Sequence, residues 1–522
     1  MMAYRVCIPV AGLGSRLGSL TRFLNKSLVS VANRPIICHI IEQFPEETEF
    51  VIALGYKGHL VKEFISLAYP NRTFFFSEVN PFEGANSGLG LSLLSCKEHL
   101  QQPFIFISCD TLVKEYIPPP TDNWMAFSDV SDLDSYRTIS IAVNHVSAIC
   151  EKGIGRLGIH HAYIGMAGIF DYSSFWKLMG EGGLDAIQIG ESYGLKNLIS
   201  LGIRAHKFTW FDTGNIEALE RARVEYQEKD GPNILEKSNE AIWFIGDKVI
   251  KYSDDTNFIK NRVDRVAALK GFVPDVYDST LHMYKYSKVE GKVFSEVATI
   301  PGFESLLNLS NSFWQQKKLT PDERKKFNQT CLKFYRDKTF ERVKLFYEKF
   351  EKQDGSEKIN GIKIPTLEYL LDRIDWEWMA EGLPGRFHGD FHFENILWDA
   401  RSSQFWFLDW RQDFGGDLFV GDIYYDFAKL LHGLIINHEL IAKNHYTVDW
   451  KDEEISYDFH RKQILVDCEN YFYEWLKKSG YDLKKVRILT ALIYLNIAAL
   501  HHYPYSLLLY GLGKSMLKEN GE

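Results

Sequence analysis

Up to about residue 225 the chain alternates short runs rich in Val, Ile and Phe with amphipathic stretches: RVCIPVAG, PIICHIIEQF, EFVIALGY, HLVKEFISLA, TFFFSEV and FIFISCD. No other feature constrains the fold as strongly. Apolar runs this short are buried strands, and the stretches between them suit crossovers that return to the same sheet. The pattern predicts an α/β unit with a mostly parallel sheet covered on both faces. At 522 residues the chain is too long for one ordinary core, and the prior is two or three domains.

The pattern breaks after Glu225, where YQEKDGPNILEKSN is polar and carries the turn signal Asp230-Gly231-Pro232. A first domain over 1–228, a linker over 229–239 and a second domain over 240–522 are therefore expected. Beyond the break, AIWFIGDKVIKY reads as a hairpin turning at Gly246-Asp247, and MYKYSKVEGKVF as part of a second strand pair turning at Glu290-Gly291. From about Pro301 the period becomes helical, and Thr320-Pro321-Asp322-Glu323 is a capping-box start with Pro in the first turn. The second domain is expected to be bilobal, with a small β-rich lobe over about 240–300 and a helical lobe over about 301–522.

Composition removes several classes. Charged residues are 25% and hydrophobic ones 45%, an ordinary globular balance that excludes a disordered or fibrous chain. Sixty Lys plus Arg against 69 Asp plus Glu give a net charge of -9, with no polybasic footprint for nucleic acid or membrane. The seven cysteines are odd in number and form no CxxC pair, so they read as reduced core thiols of a cytoplasmic protein. The N-terminus lacks the pattern of a signal peptide. The most apolar late stretch, Ile488 to Leu500, is interrupted by Thr490, Tyr494 and Asn496 and falls short of the ~20 apolar residues of a membrane span. Small-molecule partners are expected, without nucleic acid or membrane insertion; oligomeric state has no signature.

Directly after the first strand comes AGLGSRLGSLTRFLNKSLVSVANRP, Ala11 to Pro35. Small residues there, Ala11, Gly12, Gly14 and Ser15, let backbone N–H groups approach phosphates, and Arg16 and Lys26 add positive charge. The whole run closely resembles the signature of the sugar-phosphate and choline-phosphate nucleotidyltransferases. Further landmarks follow in that family's order. FVIALGYKGHLVKEF matches its second strand, Gly-Tyr turn and helix, and GMAGIFDY its Gly-Ile-Phe strand. FIFISCDTLV ends a strand at Asp110, the position of the family's first metal-holding aspartate, and WFDTGNIEALERA supplies Asp212, the second. EKG at Glu151 to Gly153 resembles its EKP segment and makes Lys152 a contact to the acceptor's phosphate.

The resemblance covers about residues 4–225 and implies a Rossmann-like (GT-A-like) α/β/α fold, with Lys26 and Arg16 as catalytic groups. Attack of a phosphate monoester on an α-phosphate brings two polyanions together, so Mg²⁺ on paired carboxylates and basic loop residues are what the chemistry needs. Two positions depart from the pattern: Cys109 stands where Gly usually precedes the Asp, and Asn25 where Pro usually precedes the Lys. NPFEGANSGLGLSLL resembles the Asn-rich stretch of the choline-phosphate type, which points to Asn86 and Ser87 as base contacts and to CTP rather than UTP or dTTP. An Asn and a Ser are also what an ordinary loop-to-helix cap contains.

The second half carries FHGDFHFENIL, Phe387 to Leu397, and then FWFLDW ending at Trp410. This constellation resembles the Brenner motif and metal aspartate of choline/ethanolamine kinases and aminoglycoside phosphotransferases, a branch of the protein-kinase-like fold. The resemblance makes Asp390 the group that orients or deprotonates the substrate hydroxyl, and Asn395 and Asp409 the Mg²⁺ ligands on ATP. His388 supports the loop, and Asp426, in GDIYYDFAKLLHG, braces it. Lys251, closing KVIKY, matches the lysine that grips the α- and β-phosphates. The family places a Glu on the next helix, where this chain offers only Asp264. Trp410-Arg411 replaces an aromatic-Glu pair common in choline kinases, and an Arg there repels a quaternary ammonium. Phe334 to Thr339 with Arg342 is a basic-aromatic cluster that reads either as facing the acceptor or, the preferred reading, as a solvated helix face, and His392 as a pocket-rim residue or one without a role.

Together the two resemblances imply a bifunctional enzyme. A kinase phosphorylates a small alcohol, amino alcohol or sugar with ATP, and a nucleotidyltransferase then joins the phosphate to a nucleotide, giving an activated donor for capsule or surface glycans. Two alternatives stay open: a nucleotidyltransferase with a non-catalytic kinase-like module, and a UTP- or GTP-dependent sugar-1-phosphate nucleotidyltransferase.

Overall fold

The computed structural model describes residues 3–227 and 239–521. The expected linker over 229–239 therefore lies, but for Asn239, outside the described residues. The chain packs as two compact units: Met1–Thr256 with Tyr277–Tyr286, and Asn257–Val276 with Ser287–Glu522.

The first unit is built on a nine-stranded sheet. Its strands are β1 (Arg5–Pro9), β2 (Glu49–Leu54), β3 (Phe74–Glu78), β4 (Phe104–Ile107), β5 (Trp124–Ser128), β6 (Thr138–Ala142), β7 (His145–Cys150), β8 (His161–Ile169) and β9 (Arg204–Lys207), in the order β3-β2-β1-β4-β8-β5-β9-β7-β6. From β3 to β4 all pairs are parallel, and side chains on both faces are buried, as the continuous apolar runs require. The rest of the sheet is mixed, which corrects the expectation of a mostly parallel sheet: β8 runs antiparallel to β4 and β5, and β7 to β6. The cause of the β6–β7 reversal is local. Only Val143-Asn144 joins these strands, both at positive φ (50 and 63), and such a two-residue turn permits only an antiparallel hairpin.

Helices cover this sheet. The helix α1 (Gly58–Ala68) follows β2, and α2 (Leu89–Cys96) packs on α3 (Gly183–Ile189) almost backbone to backbone. A Cβ at Gly90 would lie 1.9 Å from the Ala186 carbonyl oxygen, so only glycine fits this crossing.

The expected hairpin forms from β10 (Glu240–Ile245) and β11 (Lys248–Ser253), with Gly246-Asp247 at its tip. The second strand pair does not form as expected. The strand β13 (Met283–Ser287) lies between β11 and β12 (Val276–Ser279), and Thr280 N–H donates to the Met283 carbonyl at 2.8 Å to close the β12–β13 turn. Beyond Gly291, β14 (Lys292–Val293) pairs instead with β15 (Ile396–Asp399). A Cβ at Gly291 would meet the Trp398 carbonyl at 2.9 Å, a measure of how closely this segment is drawn to β15.

The sheet β10-β11-β13-β12 packs with the first unit. Trp243 meets Phe64 of α1 edge-on at 5.1 Å and donates from Nε1 to Ser30 Oγ. The Tyr252 hydroxyl donates to the Phe23 carbonyl at 2.6 Å, and Lys285 Nζ to the Leu67 carbonyl at 2.8 Å. Trp243, Ile250, Tyr252 and Met283 belong to the same apolar core as β1 and α1. Packing thus divides the chain past Ser253, while composition divides it near residue 230.

The second unit is mostly helical. Its α4 (Thr256–Leu269) precedes α5 (Pro321–Leu332), which starts at the expected capping box: Thr320 and Glu323 each accept from the other's amide. One wide turn over Lys333–Asp337 leads into α6 (Lys338–Phe350). The helix α7 (Ile423–Ile435) packs on α8 (Leu483–Ala498), which in turn packs on α9 (Tyr505–Gly521). Among the described residues no helix is long and apolar enough to cross a membrane. The hairpin of β15 with β16 (Gln404–Phe407) stands between the HGD loop and Asp409.

Because α2 approaches α3 through Gly90, Gly90→Ala should force the helices apart and cost about 1–3 kcal/mol. Ser87 and Leu89, just ahead of it, border the cavity described next. The variant should therefore show a lower unfolding midpoint in denaturant together with a raised KM for the nucleoside triphosphate; wild-type values for both would contradict this packing.

Candidate active sites

The first site opens at the end of β1. A cavity of about 320 Å³ is lined by Ala11, Gly12, Gly14 and Ser15 on one side and by Ser87 to Leu89 on another, with Arg16, Lys26, Asp110 and Gly214 also on its wall. Asn86 is exposed and lies outside that wall. Lys152 is also exposed and does not line the cavity; its neighbour Glu151 is held by Arg137 and Lys196.

Asn25 explains how the loop survives the loss of the usual proline. Fully buried, it donates from Nδ2 to the Val10 and Tyr56 carbonyls (2.8 and 2.7 Å) and accepts at Oδ1 from the Ser27 amide and hydroxyl (2.9 and 2.8 Å). It ties the end of β1 to the turn Lys26–Leu28 and thereby sets Lys26 beneath the glycine loop. Cys109, the other departure, is a buried thiol on the cavity wall.

Asp110 follows β4 by three residues. Its Oδ2 accepts from Lys26 Nζ at 2.5 Å and its Oδ1 from Ser108 Oγ at 2.5 Å. Burial pushes the Asp110 carboxyl up, but Lys26, with help from Ser108 and Arg16, outweighs this and holds it at about 2. The strand Thr111–Val113 pairs with Trp210–Asp212 in a register that sets Asp212 opposite Thr111. Asp212 accepts from the Gly214 amide at 2.7 Å and from the Tyr136 hydroxyl at 3.2 Å. Burial, and then the charge of Asp110, raise its carboxyl above the usual aspartate range. The charges meet at Gly214, where a Cβ would lie 2.8 Å from Asp212 Oδ1, 3.2 Å from Arg16 Nη2 and 3.3 Å from Asp110 Oδ2. Two carboxylates and Arg16 thus close on Gly214 on the wall of a glycine-lined cavity, with Lys26 bound to Asp110.

In the second unit the HGD loop hangs from Asp426 on α7. This buried carboxylate accepts from the His388 and Gly389 amides (both 2.7 Å) and from Trp314 Nε1 (3.0 Å). Burial nevertheless raises it to about 6. His388 is buried and accepts at Nδ1 from the Asp390 amide at 3.2 Å; burial drives its imidazole down to about 3, so it is neutral. Asp390 is ringed by donors: Lys429 Nζ at 2.7 Å, Asn395 Nδ2 at 3.0 Å and His392 Nε2 at 3.5 Å. Burial opposes its charge, but Lys429 and His392 outweigh burial and hold it well below the carboxylate range. Asp409, at φ 58, pairs with Arg262 of α4. Arg265, one turn on, donates to the Phe387 and Arg411 carbonyls and so clamps both strands of the loop.

The Asp264 carboxylate pairs with Lys260 on the same helix at 2.7 Å. Lys251 is buried on β11, in the sheet that packs with the first unit. His392 is no rim residue: it is buried and donates toward Asp390 and Glu394. Nor is the segment around Phe334 a solvated face, since Tyr335 is buried and Phe334 packs on Phe414 and Tyr425. Sequence reasoning missed Lys429 altogether. Its spacing of three from Asp426 on one helix was the available signal, because residues three apart share a helix face.

His392, Glu394 and His438 bring ligand atoms within 4.8 Å of one another. Burial lowers the His392 imidazole, but Asp390 and Glu394 raise it to about 9, which favours its protonated form between the two carboxylates.

With these geometries in view, comparison with known proteins is informative. Residues 332–452 match the phosphotransferase enzyme family. The N-terminal region is similar to nucleotidyltransferases. The bifunctional protein GlmU of Methanococcus maripaludis is 25% identical over 146 residues, 27% of this chain and 34% of that protein. The glucose-1-phosphate cytidylyltransferase of Salmonella typhimurium is 33% identical over 64 residues, 12% of this chain and 25% of that protein. The chain thus spans about a third or less of the length of these curated relatives. Among solved structures, CTP:phosphocholine cytidylyltransferase from Streptococcus pneumoniae aligns with 43% of this chain and 99% of its own, at 14% identity and a TM-score of 0.36. UDP-glucose pyrophosphorylase from Acinetobacter baumannii aligns with 43% and 93%, at 18% identity and a TM-score of 0.36. The chain therefore joins a nucleotidyltransferase-like region to a kinase-like region of the phosphotransferase family.

Two substitutions test the first geometry. Gly214→Ala places a methyl among three charges, and pyrophosphate release should fall by about 100-fold or more with the unfolding midpoint nearly unchanged. Asn25→Ala leaves two buried carbonyls unsatisfied and should cost about 2–3 kcal/mol in denaturant unfolding. A neutral outcome for Gly214→Ala would show that the charges do not need that space.

Proposed function

We propose that the chain is a bifunctional transferase. The N-terminal unit transfers a nucleotidyl group, CMP from CTP, to a phosphate monoester and releases pyrophosphate. The kinase-like region phosphorylates a small alcohol, amino alcohol or sugar with ATP. The product is an NDP-activated donor of the sort consumed in capsule or surface glycan synthesis. The observation that carries the reading is the meeting of Asp110, Asp212 and Arg16 at Gly214, beside Lys26.

That donor set fits Mg²⁺, since both acids offer hard carboxylate oxygens and Asp110 is held ionised. A bound Mg²⁺ supplies charge neutralisation between attacking and leaving oxygens. Lys26 and Arg16 hold the triphosphate and stabilise charge that grows on the α-phosphate. The Ala11 to Ser15 loop packs the phosphates against backbone N–H groups and keeps water from the triphosphate. The likeness to a glucose-1-phosphate cytidylyltransferase and the place of Ser87 on the cavity wall support CTP.

At the second site Asp390 orients the acceptor hydroxyl and receives its proton as the oxygen bonds to phosphorus. Its low proton affinity makes orientation its main task before the transition state. Asn395 spends its amide nitrogen on Asp390, which turns its carbonyl oxygen into the end suited to a metal, and Asp409 is the second ligand. Lys251 grips the ATP phosphates. One observation favours a non-catalytic module instead: α4 presents Arg262 to Asp409 where an acid is usual on that helix. ATP consumption that Asp390→Asn abolishes decides against the module.

The test is a matrix of nucleoside triphosphates against phosphorylated alcohols and sugars, read as pyrophosphate. CTP should give the highest rate, and a signal confined to UTP or GTP would overturn the base choice. Asp110→Ala or Asp212→Ala should remove pyrophosphate release by about 100-fold or more while ATP turnover changes less than about twofold. Asp390→Ala or Asp409→Ala should do the reverse. Loss of both activities from either pair, in folded protein, would refute two independent sites.

A further inference from the structure

The acceptor site carries more positive charge than its own acids balance. The wide turn over Lys333–Asp337 sets Phe334 on Phe414 and Tyr425, with ring centres 4.6 and 5.0 Å apart. On that one ring sit two cations, Lys338 Nζ at 4.4 Å and the Arg411 guanidinium carbon at 4.9 Å. Arg411 is fixed to the HGD loop: its amide donates to the His388 carbonyl at 2.9 Å, and its Cβ lies 2.5 Å from where a Cβ of Gly389 would be. Its side chain therefore starts beside Asp390. Arg342, one turn beyond Lys338, joins the group, and Lys429 already pairs with Asp390.

Among the described residues no carboxylate pairs with Lys338, Arg342 or Arg411, and Arg411 Nε is buried without a hydrogen-bond partner. The charges acting on Lys338 are thus Arg411, Arg342 and Lys429 against the single carboxylate of Asp390. Burial first, and then Arg411, Arg342 and Lys429, press the Lys338 amine down to about 7 against the pull of Asp390. Like charges gathered out of water without partners are unfavourable until an anion joins them.

We propose that the acceptor of this site is an alcohol bearing an anionic group, a carboxylate or a phosphate, which Lys338, Arg342 and Arg411 bind while its hydroxyl reaches Asp390. The proposal rests on the phosphotransferase reading of Asp390. In the step itself the hydroxyl oxygen bonds to the γ-phosphorus as the bond to the ADP oxygen breaks, and the hydroxyl proton passes to Asp390. A cationic amino alcohol would add a further positive charge and is disfavoured. Guanidinium pairs with either anion in two parallel hydrogen bonds, so arginine suits this role better than lysine alone.

The test uses the full-length protein with ATP and Mg²⁺, following ADP release with glycerol, D-glycerate, sn-glycerol 3-phosphate and ethanolamine. One of the two anions should exceed glycerol in kcat/KM by about tenfold or more, with ethanolamine lowest, and which anion leads separates carboxylate from phosphate. Arg411→Met and Lys338→Met should each raise KM for that anion by about tenfold while keeping its kcat within about threefold. Preference for glycerol or ethanolamine, or an unmoved KM, would overturn the proposal. If no alcohol draws ADP release that Asp390→Asn abolishes, the phosphotransferase reading fails, and calorimetry judges the anion site separately. D-glycerate and inorganic phosphate are then titrated into the parent and into the Lys338→Met/Arg411→Met double variant. Binding heat lost in the double variant sustains the anion site; equal heat in both, or none in either, refutes it.

Discussion

Each of the two sites depends on a lysine that keeps a partly buried aspartate ionised: Lys26 on Asp110, and Lys429 on Asp390. Taking a carboxylate out of water costs several kcal/mol, and the charge persists there only with a partner at close range. Neither pair is a device for stability, since pairing roughly offsets desolvation. What each pair fixes is position. Lys26 reaches Asp110 only because Asn25 ties its turn to the end of β1. Lys429 reaches Asp390 only because Asp426, on the same helix, holds the HGD amides at 2.7 Å. The loops that look like free connectors are thus set by charge compensation at their ends.

Much of this was legible in sequence because the informative groups are close together along the chain. The glycine loop, the strand ends at Asp110 and Asp212, the hairpin at Gly246 and the capping box at Thr320 each carry a local signal of spacing or turn chemistry. What was illegible is long-range. Lys429 meets an aspartate 39 residues away, and Arg262 meets one 147 residues away; no window of periodicity contains either pair. The sheet went partly wrong for a related reason. Apolar runs show that strands are buried but not which way they point, and the direction of β6 and β7 was decided by two residues at positive φ. Asp264 is the one acid the sequence offers near the right place; in the structure it pairs with Lys260, and Arg262 of the same helix pairs with Asp409.

The two sites also differ in how charge is distributed. The first sets two acids, Asp110 and Asp212, against two bases, Arg16 and Lys26. The second leaves positive charge in excess beside a single acid. Neither asymmetry is visible in the net charge of -9, because local fields are set by a handful of groups held at fixed distances.

The sheet β10-β11-β13-β12 rests on α1 through Trp243 and Lys285, and Tyr252 ties it to the Phe23 carbonyl. A gene trimmed where the composition changes would leave Phe64 and its neighbours without their cover, and would leave the hairpin without a floor. The first half of this protein is therefore not a detachable cassette ending near residue 228.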